Sequence, residues 1–302
     1  MATKGIDCSV PLNATTAAAL ATAGYRFACR YLVPERYAWK RLTRAEAEAI
    51  TAAGLQIVSV FETSASRAVG GAAAGAVDGA EALQEARLVG QPVGTAIYFA
   101  VDFDAGAKHF DAIEAYLRAA AAVIGPAGYE IGVYGSCAVV DEMARRGAAK
   151  HFWQTYAWSH GQRSPHANIW QYKNDQIVAG HPVDLNESYG GEGWWNTKPA
   201  TPSPVPQPNG EDKYKVVVND VLVAYGRLID GHVYLPLRKL GDALGRPVSW
   251  DNATKTPYVD GKPVSAFRLI DGTTYVGVRA AAEMLGGIVS WDGVTKKVYF
   301  YG

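Results

Sequence analysis

Ala96–Asp104, AIYFAVDFD, is an apolar, β-branched and aromatic run that closes on two carboxylates, with Gly106 just beyond. It is too short for a helix of its own and reads as a buried strand. Side chains two apart on a strand share a face, so Asp102 and Asp104 are expected to point the same way, about 6.5–7 Å apart at Cα. Two acids held together at the end of a buried strand raise each other's pKa. Such a pair suits general acid–base work on a glycosidic bond. It also suits a plainer role, with Asp104 capping the next segment and Asp102 in a salt bridge.

Outward from this run, strand-like and helix-like segments alternate. The strands are expected at Gly5–Ser9, Phe27–Leu32, Gln56–Glu62, Ala96–Asp104, Glu130–Ser136, His151–Trp158, Ala167–Tyr172 and Pro182–Glu187. Alanine-rich amphipathic stretches lie between the first six, at Thr15–Ala23, Thr43–Ala53, Ala73–Val89, Phe110–Ile124 and Ala138–Ala148. Thr43 and Glu46 have the spacing of a capping box. Eight strands with interleaved helices predict an α/β fold, a parallel (β/α)₈ TIM-like barrel. The connections around 159–166 and 173–181 are too short for full helices, and a doubly wound open sheet is the alternative.

Lys198–Asp212, KPATPSPVPQPNGED, carries five prolines and reads as an extended, semi-rigid linker. It divides the chain into a barrel at 1–197 and a small α+β domain at 213–302. The second domain repeats itself at an offset of 41: LIDGHVYLPLRKLGDALGRPVSWDNATKTPYV (228–259) aligns with LIDGTTYVGVRAAAEMLGGIVSWDGVTKKVYF (269–300). Each unit reads strand, short helix, then a hairpin, and the two are expected to pack pseudo-symmetrically.

The formal net charge is zero, so nothing global points to nucleic acid. Residues 1–212 carry 17 Lys/Arg against 21 Asp/Glu and residues 213–302 carry 12 against 8, a split of −4 and +4. Cys8, Cys29 and Cys137 form no short-spaced pair and are expected to be buried free thiols. No apolar run has transmembrane length, so no membrane insertion is expected, and MATKGIDCSV lacks the apolar core of a signal peptide.

In a parallel barrel, chemistry gathers at the C-terminal strand ends. Those ends hold Asp7, Glu62, Asp102, Asp104 and Asp184, five acids from four strands. Arg30, Tyr31, Tyr134, Trp158, Trp170 and Gln171 stand at or near other strand ends, as partners for the acids and as aromatic surfaces for sugar rings. His151, His160, His166 and His181 form no close ligand pair, so no metal and no cofactor are expected. Ser136 follows Gly135 without the second glycine of a nucleophile elbow.

The ordered set GIDCS, FE (61–62), YFAVDFD, GVYGS, IWQY (169–172) and VDLN resembles the bacterial glycoside-hydrolase-like domains, which are similar in turn to the family-25 lysozymes, barrel muramidases that cut peptidoglycan. The resemblance covers about 4–195. It implies that Asp7, Asp102, Asp104 and Asp184 match the acidic set of those enzymes. Where they carry Asp-x-Glu this chain has Asp-Phe-Asp, so Asp104 takes the position of the general acid with a side chain one methylene shorter. Glu62 then stands as the other candidate for that role. Asp102 is expected to stay ionised beside the transition state, and Asp7 and Asp184 to position substrate.

The repeated VYLPLR…LG…VSWD pattern resembles the copper amine oxidase N-terminal-like (stalk) domain, without implying copper, since His232 is the only histidine there. Together the resemblances imply a peptidoglycan-directed glycosidase of endolysin-like layout, with a C-terminal wall-attachment module. It would act at the cell wall and, if phage-encoded, leave the cell through a holin. A catalytically silent envelope-glycan binder and a hydrolase of another polysaccharide are the alternatives, and for the tail module a spacer or dimerisation role.

Overall fold

The computed structural model describes residues 2–198, 212–219, 221–293 and 295–301. The chain forms two compact units, Met1–Lys198 and Pro199–Gly302. Residues 199–211, nearly all of the expected Pro-rich linker, lie outside the described residues.

The first unit runs β1 (Thr3–Asp7), α1 (Ala14–Thr22), β2 (Phe27–Tyr31), α2 (Arg44–Ala52), β3 (Gln56–Phe61), α3 (Gly71–Val89), β4 (Ala96–Ala100), α4 (Phe110–Ile124), β5 (Glu130–Gly135), α5 (Cys137–Arg145), β6 (His151–Thr155), β7 (Ile169–Val178) and β8 (His181–Ser188). The strands form a closed barrel in chain order, which excludes the open doubly wound sheet. From β1 to β7 each strand is parallel to the one before it. β8 is antiparallel to both β7 and β1, so the barrel is not wholly parallel as expected. Only Ala179 and Gly180 separate β7 from β8, both at positive φ (51° and 78°). A two-residue turn with both residues left-handed joins antiparallel strands and leaves no chain for a crossover.

Strand alternation divides the barrel's side chains into two layers. On β4, Ala96, Tyr98 and Ala100 fill the barrel interior with Phe27, Val58, Val60 and Trp153. Ile97 and Phe99 face outward into the larger core beneath the helices. A Cβ on Gly132 would sit 2.7 Å from the Tyr98 ring, so that position must stay bare for the interior to fill. Outside, a Cβ on Gly75 of α3 would come within 2.1 Å of the Tyr116 carbonyl on α4, and the bare Cα lets the two helices close together.

The capping box expected at Thr43 forms only by half. The Thr43 side chain accepts from the Glu46 N–H at 3.2 Å, but the Glu46 carboxylate turns away to the buried Arg30. A full box forms at α1, between Asn13 and Thr16.

The second unit runs β9 (Asp212–Val218), β10 (Val221–Ile229), β11 (His232–Pro236), α6 (Leu237–Ala243), β12 (Val248–Asp251), β13 (Thr256–Val259), β14 (Lys262–Pro263), β15 (Phe267–Ile270), β16 (Thr273–Gly277), α7 (Val278–Leu285), β17 (Ile288–Asp292) and β18 (Lys297–Tyr301). One sheet has the order β15-β16-β11-β10-β9-β18-β17, and β12-β13-β14 form another. Leu235, Leu237, Leu240, Val276, Val298 and Phe300 centre its own core. Among the described residues, no helix is long and apolar enough to cross a membrane.

Candidate active site

The barrel opens on a cavity of about 310 Å³ at the C-terminal ends of the parallel strands. Asp7, Glu62, Asp102 and Asp184 all line it, as do Tyr31, Tyr134, Trp158 and Gln171. Alternation explains the set. Asp7 ends β1, Glu62 is two residues past the inward Val60, and Asp102 is two past the inward Ala100. Asp184 arrives from the other direction. It was expected at the C-terminal end of its strand, but β8 is reversed and Asp184 stands in its first half, directly opposite Asp7.

Asp7 is the most enclosed of the four, with 5% of its surface exposed. Its Oδ2 accepts from Asn186 Nδ2 at 2.6 Å and from Gln171 Nε2 at 2.9 Å. Burial, reinforced by the charge of Asp184, pushes the Asp7 carboxyl up to about 7 despite those two donors. Gln171 is held in one orientation, its Oε1 accepting from Thr155 Oγ1 (2.7 Å) and Tyr134 Oη (3.0 Å) while Nε2 also reaches Asp184 Oδ2 at 3.3 Å. Trp153 Nε1 donates to Asn186 Oδ1 at 2.8 Å and fixes that amide in turn. Burial pushes Asp184 above its ordinary value, and the Asp175 N–H, donated to Oδ1 at 2.8 Å, opposes it.

Asp102 is half-buried. Burial first, then the negative charge of Glu62, raise its pKa, and Lys40 pulls the other way. Burial and the carboxylates hold the Tyr31 and Tyr134 phenols well above their usual range, so both remain hydrogen-bond donors. Trp158 is 37% exposed at the rim, with φ at 55° in the left-handed region that large side chains seldom enter.

Three expected residues are elsewhere. Asp104 is exposed and does not line the cavity, because β4 ends at Ala100 and the chain has left the strand before it reaches Asp104. The expected shared strand face for Asp102 and Asp104 therefore does not exist. Arg30 alternates with the inward Cys29 and so points out of the barrel. It is fully buried there, bonded through Nε to Glu46 (2.6 Å) and through its other nitrogens to the carbonyls of Cys8 and Lys40. Trp170 likewise alternates with Gln171, and its ring stands beside Tyr172 and Arg163 instead of in the cavity.

Lys40 is the main feature that the sequence reading missed. Its side chain is only 7% exposed, with Nζ 3.4 Å from Glu62 Oε2 and 4.2 Å from the Tyr31 ring centroid. Trp39, 63% exposed, flanks it at 5.4 Å. Lys40 lies in the long β2–α2 connection, where no periodicity assigns a direction. Asn186 was also missed, although it is two residues past Asp184 and alternation places it inward.

The histidines are dispersed. His151 bonds Glu130 and the Gly191 carbonyl, while His181 reaches the Val10 carbonyl. Among the described residues no cluster of His, Cys, Asp and Glu has the arrangement of a metal site. Cys8, Cys29 and Cys137 are buried free thiols. Ser136 caps α5, accepting from the Val139 N–H at 3.4 Å.

Comparison with known proteins bears on the barrel alone. The crystal structure of the Mycobacterium tuberculosis Tat-secreted protein Rv2525c in complex with L-tartrate is 27% identical, with a TM-score of 0.58, and the match covers 64% of this chain and 98% of that one. An uncharacterized B. stearothermophilus protein shares the fold at 22% identity and a TM-score of 0.50, over 62% of this chain and 95% of that one. No curated protein matches the chain. Residues 18–188 match the Rv2525c-like, glycoside hydrolase-like domain. That span runs from α1 to the end of β8 and takes in the cavity with all but one of its four acids, and by it the chain belongs to the Rv2525c-like glycoside hydrolase-like family.

Proposed function

We propose that the barrel hydrolyses glycosidic bonds of peptidoglycan at the cell wall and that the second unit holds it there. The observation that carries this reading is the meeting of four carboxyls from four strands in one aromatic-walled cavity, with Asp7 raised to about 7 and Asp102 and Asp184 raised as well. A glycosidase needs one carboxyl that keeps its proton and one that stays charged, and like-charge crowding separates the two.

Because Asp104 is outside the cavity, the roles differ from those expected. Asp102 donates its proton to the leaving glycosidic oxygen as the C–O bond breaks. The Glu62 carboxylate, ion-paired with Lys40, stabilises the positive charge developing at the anomeric carbon. Water then adds to that carbon and returns a proton to Asp102, leaving a new reducing end. Asp7 and Asp184, tied together through Gln171, position the substrate, and Tyr31 and Trp158 offer faces for sugar rings. The second unit, in this reading, is an attachment module of the copper amine oxidase N-terminal-like kind built from two pseudo-symmetric repeats. Attachment raises the local concentration of substrate.

The exposure of Asp104 also favours a second reading, a silent glycan-binding barrel, since the position matched to the family-25 acid is not in the cavity. One assay separates them. Purified Gram-positive peptidoglycan is incubated with the protein, and new reducing ends are measured beside new free amines. Reducing ends from the parent and not from Asp102→Asn support hydrolysis. Neither product, with the protein still pelleting with the wall, supports the binder.

A further inference from the structure

The two strand–helix–hairpin segments of the second unit finish differently. The hairpin β17–β18 joins the seven-stranded sheet through β18, which runs parallel to β9, and Trp291 lies 5.3 Å from the Tyr214 ring. The matching hairpin β12–β13 pairs with β14 instead. Between this hairpin, the start of α6 and the β15–β16 turn there is a cleft of about 650 Å³.

Trp250, the counterpart of Trp291 at the offset of 41, lines that cleft. Its ring meets Phe267 edge-on at 6.1 Å, and its Nε1 donates to Asn252 Oδ1 at 3.2 Å. Leu269, 55% exposed, is a second apolar element of the lining. Arg238, Lys239 and Lys255 line the same cleft, and no acidic residue does. Among the described residues none of the three has a carboxylate within salt-bridge distance, whereas Arg246 of this unit pairs with Asp260 at 2.7 Å. Arg238 spends one nitrogen on the Val248 carbonyl, at 3.3 Å. Three like charges with no carboxylate partner among the described residues repel each other around one concavity, and an anion entering it relieves all three at once.

We propose that this cleft binds a flexible polyanionic chain of sugar or polyol repeats, the cations taking its charges and Trp250 and Leu269 its carbon skeleton. The inference rests on the attachment reading of the second unit and specifies the chemistry of what is held. Spaced cations suit a polymer that carries an anion on every repeat, and a tryptophan face suits the C–H surface of a sugar or polyol. In the second segment Ala280 stands in place of Lys239 and Trp291 packs on Tyr214, while Arg279 and Lys296 keep the other two cations.

The test uses the full chain in calorimetric titrations with poly(glycerol phosphate), polygalacturonate and neutral dextran. The triple variant Arg238→Gln/Lys239→Gln/Lys255→Gln is compared with Lys215→Gln/Lys262→Gln/Arg279→Gln, which removes equal charge outside the cleft. The expected result is binding of at least one polyanion and not of dextran, weakened about tenfold or more by the cleft triple and less than about threefold by the control. Phosphate and carboxylate polymers are told apart by which of the two binds more tightly. Trp250→Ala is expected to weaken the same interaction without changing charge. Equal losses in both triples would overturn the proposal in favour of diffuse attraction, as would tighter binding of a single-stranded oligonucleotide. If neither polyanion binds while the protein still pellets with whole wall, the proposal fails and attachment survives. If the protein does not pellet either, attachment itself fails.

Discussion

The barrel mouth and the cleft of the second unit are both concave and both dominated by one sign of charge, yet burial makes them opposites. In the mouth, burial drives the carboxyls of Asp7, Asp102 and Asp184 toward their neutral forms, and the Gln171 amide reaches both Asp7 and Asp184. In the cleft, Arg238, Lys239 and Lys255 stand exposed to water. Enclosed carboxyls suit proton chemistry, which needs positions held to fractions of an ångström. Exposed cations suit attraction, which tolerates flexible side chains and is screened by salt.

The largest effect that would test this contrast is catalytic. Asp102→Asn is expected to lower reducing-end release by about 10²–10⁴-fold, while Asp104→Asn stays within about threefold of the parent. An Asp104→Asn variant that releases no reducing ends would break the comparison, because an exposed carboxyl would then be doing the work assigned to the enclosed ones. Next is Arg30→Leu, which strands the buried Glu46 carboxylate without its ion-pair partner. Urea unfolding should show a loss of about 3–5 kcal/mol, and the KM of folded enzyme should not move, since Arg30 faces away from the cavity.

The third test reads burial through pH. Asp7 stands at about 7 in the fold against 3.8 in the open chain. Its contribution to stability is therefore whole below the open-chain value and is lost as pH rises through about 7. Asp7→Asn should match the parent at about pH 4 and exceed it by about 2–4 kcal/mol at about pH 8 in the same unfolding assay. A variant less stable than the parent at the higher pH would mean that its two amide donors more than offset burial. The smallest effect is ionic. Raising salt from about 0.05 to 0.5 M should weaken polyanion binding by the second unit about tenfold, and change turnover of a short soluble glycan less than twofold.

Much of the site was legible in alternation alone. Asp7, Tyr31, Glu62, Asp102, Tyr134 and Gln171 all follow from counting in twos along strands whose inward residues are apolar. The same count places Arg30 and Trp170 outside, so those two expectations failed by ignoring a signal that was present. Asp104 is different. It obeys the count, and only the end of β4 at Ala100 removes it from the cavity. Lys40 had no signal, because a residue in a long connection acquires its neighbours from the folding of the whole.

By itself the sequence determined the alternating elements, the acids at the strand ends and the repeat at an offset of 41. These are local properties, set by side-chain period and by turn chemistry within a few residues. Tertiary structure alone decided the sense of β8, the burial that raises Asp7, the placement of Lys40 against Glu62, and the fate of the two hairpins. Direction was set by a turn too short for a crossover. The other three depend on which surfaces meet, and residues distant in sequence acquire their electrostatics only from that meeting.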